Sequence, residues 1–257
     1  MLTSTHNKQI GISIKRDNLM LILLCIAALV VAGLVSLDTG RDGVILLFLG
    51  GILGALFLYF QYGFASGWRQ LITHGDTRPI GYHFLLAGLC SLVFLPYHYL
   101  GLGAFGSIAP ISISLIIGSF IFGIGMQLAN GCGSGVLFSY GGGSARMVFA
   151  LPGFVFGSVL GSLALPPVLA WGALNPVAIG IPQSLLGTLL INFILIFGLM
   201  GVFFLIAYKK GRSLSVKWLV GTAIIAIICS LVFIISGHPW GITFGFTVWG
   251  GKLALLA

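Results

Sequence analysis

Asn130-Gly131-Cys132-Gly133-Ser134-Gly135 opens a glycine-rich run that extends to Ser144, with long apolar segments on either side. Six glycines between positions 131 and 143 free the backbone to curl, and a reactive sulfur sits among them. Non-helical backbone of this kind survives at membrane depth only where it is buried in protein or lines a cavity. The flanks therefore decide what the run is.

Those flanks belong to a membrane. Hydrophobic residues fill 58% of the 257 positions, 6% are charged and glutamate is absent, while the mean hydropathy of +1.15 excludes a water-soluble domain. The apolar runs are about 20 residues long rather than alternating segments of about 10, so the spans satisfy their own backbone as helices. The fold class is all-α, a polytopic transmembrane helical bundle in the lipid bilayer. The net charge of +8 comes from 12 basic residues. Most lie in short connections, where they set orientation; no nucleic-acid surface is formed.

Working outward, the hydropathy predicts spans near 18–37, 43–62, 81–94 and 111–129 before and up to the glycine run, and near 146–165, 185–208 and 218–236 after it. A turn from Asp38 to Asp42 separates the first two, Pro96-Tyr97-His98 ends the third, and Gly101 to Pro110 connects the third to the fourth. Pro166-Pro167 and Trp171 end the fifth, and a loop with Pro176 and Pro182 leads to the sixth. Gly153, Gly157 and Gly161 form a small-xxx-small ladder expected to admit a neighbouring helix. Lys8, Lys15 and Arg16 precede the first span, and Lys209, Lys210, Arg212 and Lys217 follow the sixth. An even number of crossings between two basic clusters predicts a cytoplasmic N-terminus.

The segment Gly63-Phe64-Ala65-Ser66-Gly67-Trp68-Arg69 interrupts the apolar pattern. Two structures fit it, a broken half-depth helix or an interfacial loop anchored by Trp68, and Arg69 either supplies positive potential to an anion or snorkels to the headgroups. Gly245-Phe246-Thr247-Val248-Trp249 is similar to it, which suggests internal, pseudo-symmetric repeats with short broken or re-entrant half-helices. The expected organisation is one integral membrane domain over 1–257: a cytoplasmic leader at 1–17, a first repeat at 18–180 carrying the Gly-Cys-Gly turn, and a partial second repeat at 181–257.

Glycines on both sides of Cys132 and Ser134 allow successive N–H groups to point into one concavity, an arrangement that holds anions. Cysteine adds a soft sulfur with a weak S–H donor, suited to an anion that carries its own sulfur. Cys25, Cys90 and Cys229 lie mid-span among Leu, Ile, Ala and Val and are expected to pack as small hydrophobes. His74, His83, His98 and His238 show no metal-like spacing, so neither a metal nor a cofactor is expected. The absence of Asp and Glu from every predicted span excludes a carboxylate proton relay and an aspartyl intramembrane protease.

Three motifs in order carry a family resemblance: Gly63-Phe64 to Trp68-Arg69; Leu128-Ala129-Asn130-Gly131-Cys132-Gly133-Ser134-Gly135 with Gly141-Gly142-Gly143; and Pro239-Trp240-Gly241-Ile242-Thr243 through Trp249-Gly250-Gly251-Lys252. Together they resemble the YeeE/YedE sulfur-transport family of bacterial inner-membrane proteins. The resemblance implies import of a small sulfur-containing anion, thiosulfate in the characterised members, through a constriction where half-helices meet and cysteines contact the substrate sulfur. It implies a transporter with no catalytic residue. The expected substrate-binding set is Cys132 with Asn130, Gly131, Gly133, Ser134 and Gly135, together with Trp68, Arg69 and Trp240. Two departures stand out. No cysteine occupies Gly63 to Ala65, and the sequence given stops before the family's second Gly-Cys turn, Gly-Cys-Asn in the closest relatives. A chain that continues past the sequence given, a second polypeptide that completes the pathway, or a different handling of the substrate would each account for this, and a sulfur carrier or a second membrane subunit is among the partners to expect. The alternatives are a membrane-embedded sulfurtransferase using Cys132 and a membrane subunit that works only with a partner chain.

Overall fold

The structure, a computed structural model, describes residues 3–103, 111–172, 174 and 184–256; parts of the Gly101 to Pro110 connection and of the loop with Pro176 and Pro182 lie outside the described residues. Among the described residues there is no strand. The helices are α1 (Thr3–Phe60), α2 (Phe64–His74), α3 (Arg78–Tyr99), α4 (Ile113–Leu128), α5 (Gly133–Gly141), α6 (Met147–Leu169), α7 (Leu185–Asn192), α8 (Gly198–Lys209), α9 (Val216–Ser236) and α10 (Ile242–Leu256). One π-helical stretch, Phe193–Phe197, joins α7 to α8. The chain forms two units, Met1–Gly50 and Gly51–Ala257.

In the first unit the helical course is broken at Gly40, whose φ of 68° and ψ of −155° lie outside helical space. Glycine adopts such a conformation without a Cβ penalty. The expected Asp38 to Asp42 turn is thus confined to one residue, because the neighbours keep their helical hydrogen bonding. Leu29, Leu34 and Leu37 are exposed here, as they would be toward lipid.

The second unit is built around α9, which buries nine of its residues, from Gly221 to Phe233. Helix α3 lies against both α8 and α9, and glycines cut its face to admit aromatic rings. A Cβ on Gly81 would fall 2.3 Å from the Phe204 ring, and one on Gly88 2.7 Å from Phe197. Rings then stack across the seams, Phe94 on Phe233 at 4.1 Å and Tyr82 on Trp218 at 5.6 Å. Burying such pairs contributes area plus about 0.5–1.5 kcal/mol each.

Several boundaries depart from the sequence expectation. Helix α3 runs through Pro96, and α6 runs through Pro166 and Pro167 to Leu169. In a membrane helix the carbonyls that proline frees are re-satisfied locally, so proline does not enforce a stop. The glycine ladder of α6 does not meet a neighbour among the described residues: a Cβ on Gly153, Gly157 or Gly161 would find nothing there within 4 Å. The close approach to α6 comes instead from Gly250 of α10, where a Cβ would lie 2.2 Å from Val159 Cγ2.

Six described helical segments are long and apolar enough to cross a membrane. One of them, Ile22–His74, contains most of the first predicted span and all of the second, which accounts for six segments against seven expected. Leu128 and Phe149 are 83% and 85% exposed, a degree of apolar exposure that only a lipid environment tolerates at this density. The chain is a multi-pass, all-α membrane protein.

Polar side chains cluster where the α2–α3 turn meets the α8–α9 turn. Asp76 pairs with Arg78 at 2.9 Å and with Arg212 at 3.3 Å. Arg212 donates to the His74 carbonyl at 2.8 Å, Lys210 to the Gly75 carbonyl at 3.2 Å, and Arg78 to the Ser213 carbonyl at 2.9 Å. Hydrogen bonding from Arg78 holds the Asp76 carboxyl well below its ordinary 3.8, lowered to about 2. These contacts clamp the two turns together.

Candidate functional site

The glycine run folds as a sharp break followed by a short helix. Helix α4 ends at Leu128, Asn130 takes a left-handed φ of 60°, and α5 starts at Gly133. Asparagine is among the few non-glycine residues that tolerate this region. The next position must be small, because a Cβ on Gly131 would stand 3.1 Å from the Val136 nitrogen and 3.2 Å from the Gly135 carbonyl carbon. Both are backbone atoms, which cannot step aside.

The first hydrogen bond of α5 runs from Val136 N–H to the Cys132 carbonyl at 2.8 Å, and Cys132 supplies no side-chain cap. The N–H groups of Gly133, Ser134 and Gly135 therefore have no acceptor among the described residues. Helix α2 starts the same way: Gly63 gives no cap, and the first bond runs from Gly67 N–H to the Gly63 carbonyl at 3.2 Å. Phe64, Ala65 and Ser66 thus also leave their N–H groups open. Two helix N-termini, each carrying roughly half a positive charge, are left without capping side chains.

The two starts are adjacent. Cys132 is buried, 8% exposed, in a cluster with Ala65 from the first turn of α2 and Met126 from the last turns of α4. Its sulfur lies 3.2 Å from the Ser134 hydroxyl. Arg69 donates to the Asn130 side-chain oxygen and, at 3.3 Å, to that of Gln127. Neither expected role describes Arg69 fully, since its guanidinium ties α2 to the break that precedes Cys132. Trp68 packs its ring on Phe64 at 6.0 Å, and the segment from Phe64 is a short helix rather than a plain interfacial loop.

A cavity of about 270 Å³ lies beside these N-termini, small on the usual scale of ligand sites. Phe64 and Ser134 reach it from the starts of α2 and α5, and Pro239 and Trp240 from the segment before α10. Trp240 stacks on Phe57, another wall residue, at 5.2 Å. The other wall carries Tyr62, His83, Cys90 and Cys229 among Leu86 and Phe94. The Tyr62 hydroxyl donates to the Tyr82 carbonyl at 2.8 Å, and His83 Nδ1–H donates to the Pro79 carbonyl at 2.6 Å. A carbonyl only accepts, so His83 carries its proton on Nδ1 and turns Nε2 elsewhere.

Of the expected set, Cys132, Ser134, Gly131, Gly133 and Gly135 share one turn, and Ser134 and Trp240 share the cavity wall. Asn130 makes the break and Arg69 ties α2 to it; these two, with Trp68, Gly131, Cys132, Gly133 and Gly135, are not among the residues that line the cavity. Cys90 and Cys229, expected only to pack, border it. Nothing in their spacing joins α3 to α9, so only the tertiary fold could reveal them. The internal similarity also falls at unlike places: Gly63 precedes α2, whereas Gly245 lies within α10.

A comparison with curated proteins finds no match for this chain. A family model described as sulphur transport matches residues 61–257, which takes in α2, the Cys132 turn, α10 and every residue of the cavity wall but Phe57. The chain belongs to the sulphur-transport family, the YeeE/YedE group.

Proposed function

We propose that the protein imports thiosulfate or a closely related sulfur oxyanion across the bacterial inner membrane, with its N-terminus in the cytoplasm. The observation that carries this reading is the pairing of open N–H groups at Gly133, Ser134 and Gly135 with the buried Cys132 thiol. Donors without a partner in a partly buried place cost about 1–3 kcal/mol each, and an anion would offset that cost. The oxyanion end meets the N-termini of α2 and α5, the terminal sulfur meets Cys132, and Ser134 bridges thiol and cavity.

Cys132 acts as a neutral thiol, since a thiolate beside a dianion at low dielectric would be repelled by several kcal/mol. Its partner among the described residues is a hydroxyl rather than a base, which favours contact over nucleophilic attack. The glycines of the break form the constriction, and Arg69 holds it in shape through Asn130. The basic α8–α9 turn, clamped to the α2–α3 turn, faces the cytoplasm by the positive-inside rule. The two short helices α2 and α5 with their preceding breaks serve as half-helices of the first repeat, and residues 181–257 belong to a second.

Uptake of labelled thiosulfate into proteoliposomes tests this. Excess unlabelled thiosulfate should compete, and sulfate, which lacks the terminal sulfur, should compete poorly. Equal competition by sulfate would remove the sulfur contact from the mechanism.

A further inference from the structure

The cavity wall holds a second thiol arrangement that the transport reading leaves unused. Cys90 comes from α3 and Cys229 from α9, two helices packed tightly enough for Phe94 and Phe233 to stack at 4.1 Å within a turn of each cysteine. Cys90 and Cys229 stand at matching places on the two helices, each four residues before its ring of the stacked Phe94–Phe233 pair. Both also border the cavity that Ser134 and Trp240 line.

We propose that Cys90 and Cys229 are a redox-active dithiol that closes to a disulfide across α3 and α9, with polythionates, sulfur oxyanions joined through an S–S bond, as its oxidant. The choice of oxidant rests on the cavity admitting sulfur oxyanions; the disulfide itself rests only on the placement of the two thiols.

With tetrathionate the step balances. Cys90 loses its proton to water and its sulfur attacks one of the two inner sulfurs of tetrathionate. The central S–S bond breaks, one thiosulfate leaves, and Cys90 carries an –S–SO₃⁻ group. Cys229 then loses its proton, attacks Cys90 Sγ and displaces a second thiosulfate. Two thiols are oxidised, one tetrathionate is reduced to two thiosulfates, and two protons are released. Closure brings the sulfurs to about 2.05 Å and requires the two Cα atoms to lie within about 7 Å of one another.

The test uses the full chain, reduced and then freed of reductant, in detergent. One equivalent of tetrathionate should release two thiosulfates per chain, and the number of alkylatable cysteines should fall from four to two. Peptide mapping should find a Cys90–Cys229 cross-link that dithiothreitol reverses. Cys132→Ser should give the same cross-link, whereas Cys90→Ser and Cys229→Ser should lose it while eluting as wild type on size exclusion. A cross-link through Cys132 or Cys25, or four thiols still alkylatable after both tetrathionate and diamide, would overturn the proposal. Closure by diamide but not by tetrathionate would overturn the assigned oxidant. Because the readout is mass and thiol count, a failure of uptake leaves this result independent.

Discussion

Two polar regions of the second unit behave in opposite ways. The Asp76 clamp has a partner for every charge: one carboxylate takes two guanidiniums, and the remaining donors cap the carbonyls of His74, Gly75 and Ser213. At the Cys132 turn nothing caps α5 or α2, and the open groups are backbone N–H donors beside a thiol. A saturated cluster spends its interactions on holding turns in place. An unsaturated one keeps them for a guest, and the difference separates scaffold from site.

Several substitutions would break or sharpen that contrast. The largest effect is expected from Gly131→Val, whose side chain would collide with the backbone at Val136 and Gly135; thiosulfate uptake should fall to background in proteoliposomes. Ser134→Ala removes the hydroxyl that joins Cys132 to the cavity. With a hydrogen bond worth on the order of 1 kcal/mol, uptake at low substrate should drop roughly fivefold. Arg69→Gln keeps a donor toward Asn130 but loses the fork, and a two- to threefold rise in the uptake KM, roughly, is expected.

Asp76→Asn should change uptake least and stability most directly. The Asp76 carboxyl is depressed in the folded state, so its contribution is complete above about pH 4 and is lost as pH falls through about 2. The variant should unfold more easily at pH 7 by on the order of 1 kcal/mol, with the gap narrowing as the pH approaches 2. Thermal scans in detergent would check this. A large loss of uptake by this variant with unchanged stability would place the clamp in the transport path and undo the contrast.

Much of this architecture was legible in the sequence, and the limits have physical causes. Length and hydropathy dictate membrane helices, so the spans at 81–94, 185–208 and 218–236 reappear inside α3, α7 to α8, and α9. The glycine spacing around Cys132 requires a break, and Asn130 and Gly131 make it. Proline was a poor guide to helix ends because Pro96, Pro166 and Pro167 sit within membrane-type helices. The ladder of α6 illustrates the opposite error: small residues permit close approach without specifying a partner, and the approach was made by Gly250. A thiol mid-span has the same local pattern as alanine, so the place of Cys90 and Cys229 at a cavity wall is not legible in the sequence. Only the packing of α3 on α9 places both residues on one cavity wall.

The central claim is that Cys132 reads the substrate's sulfur while the helix starts read its charge. The most direct measurement is the thiosulfate-to-sulfate competition ratio for uptake by wild type and by Cys132→Ser, reconstituted at equal density. The serine variant should lose thiosulfate uptake by tenfold or more, about 1.4 kcal/mol, and its preference over sulfate should collapse toward unity. A variant that imports thiosulfate at the wild-type rate with its preference intact would contradict the account.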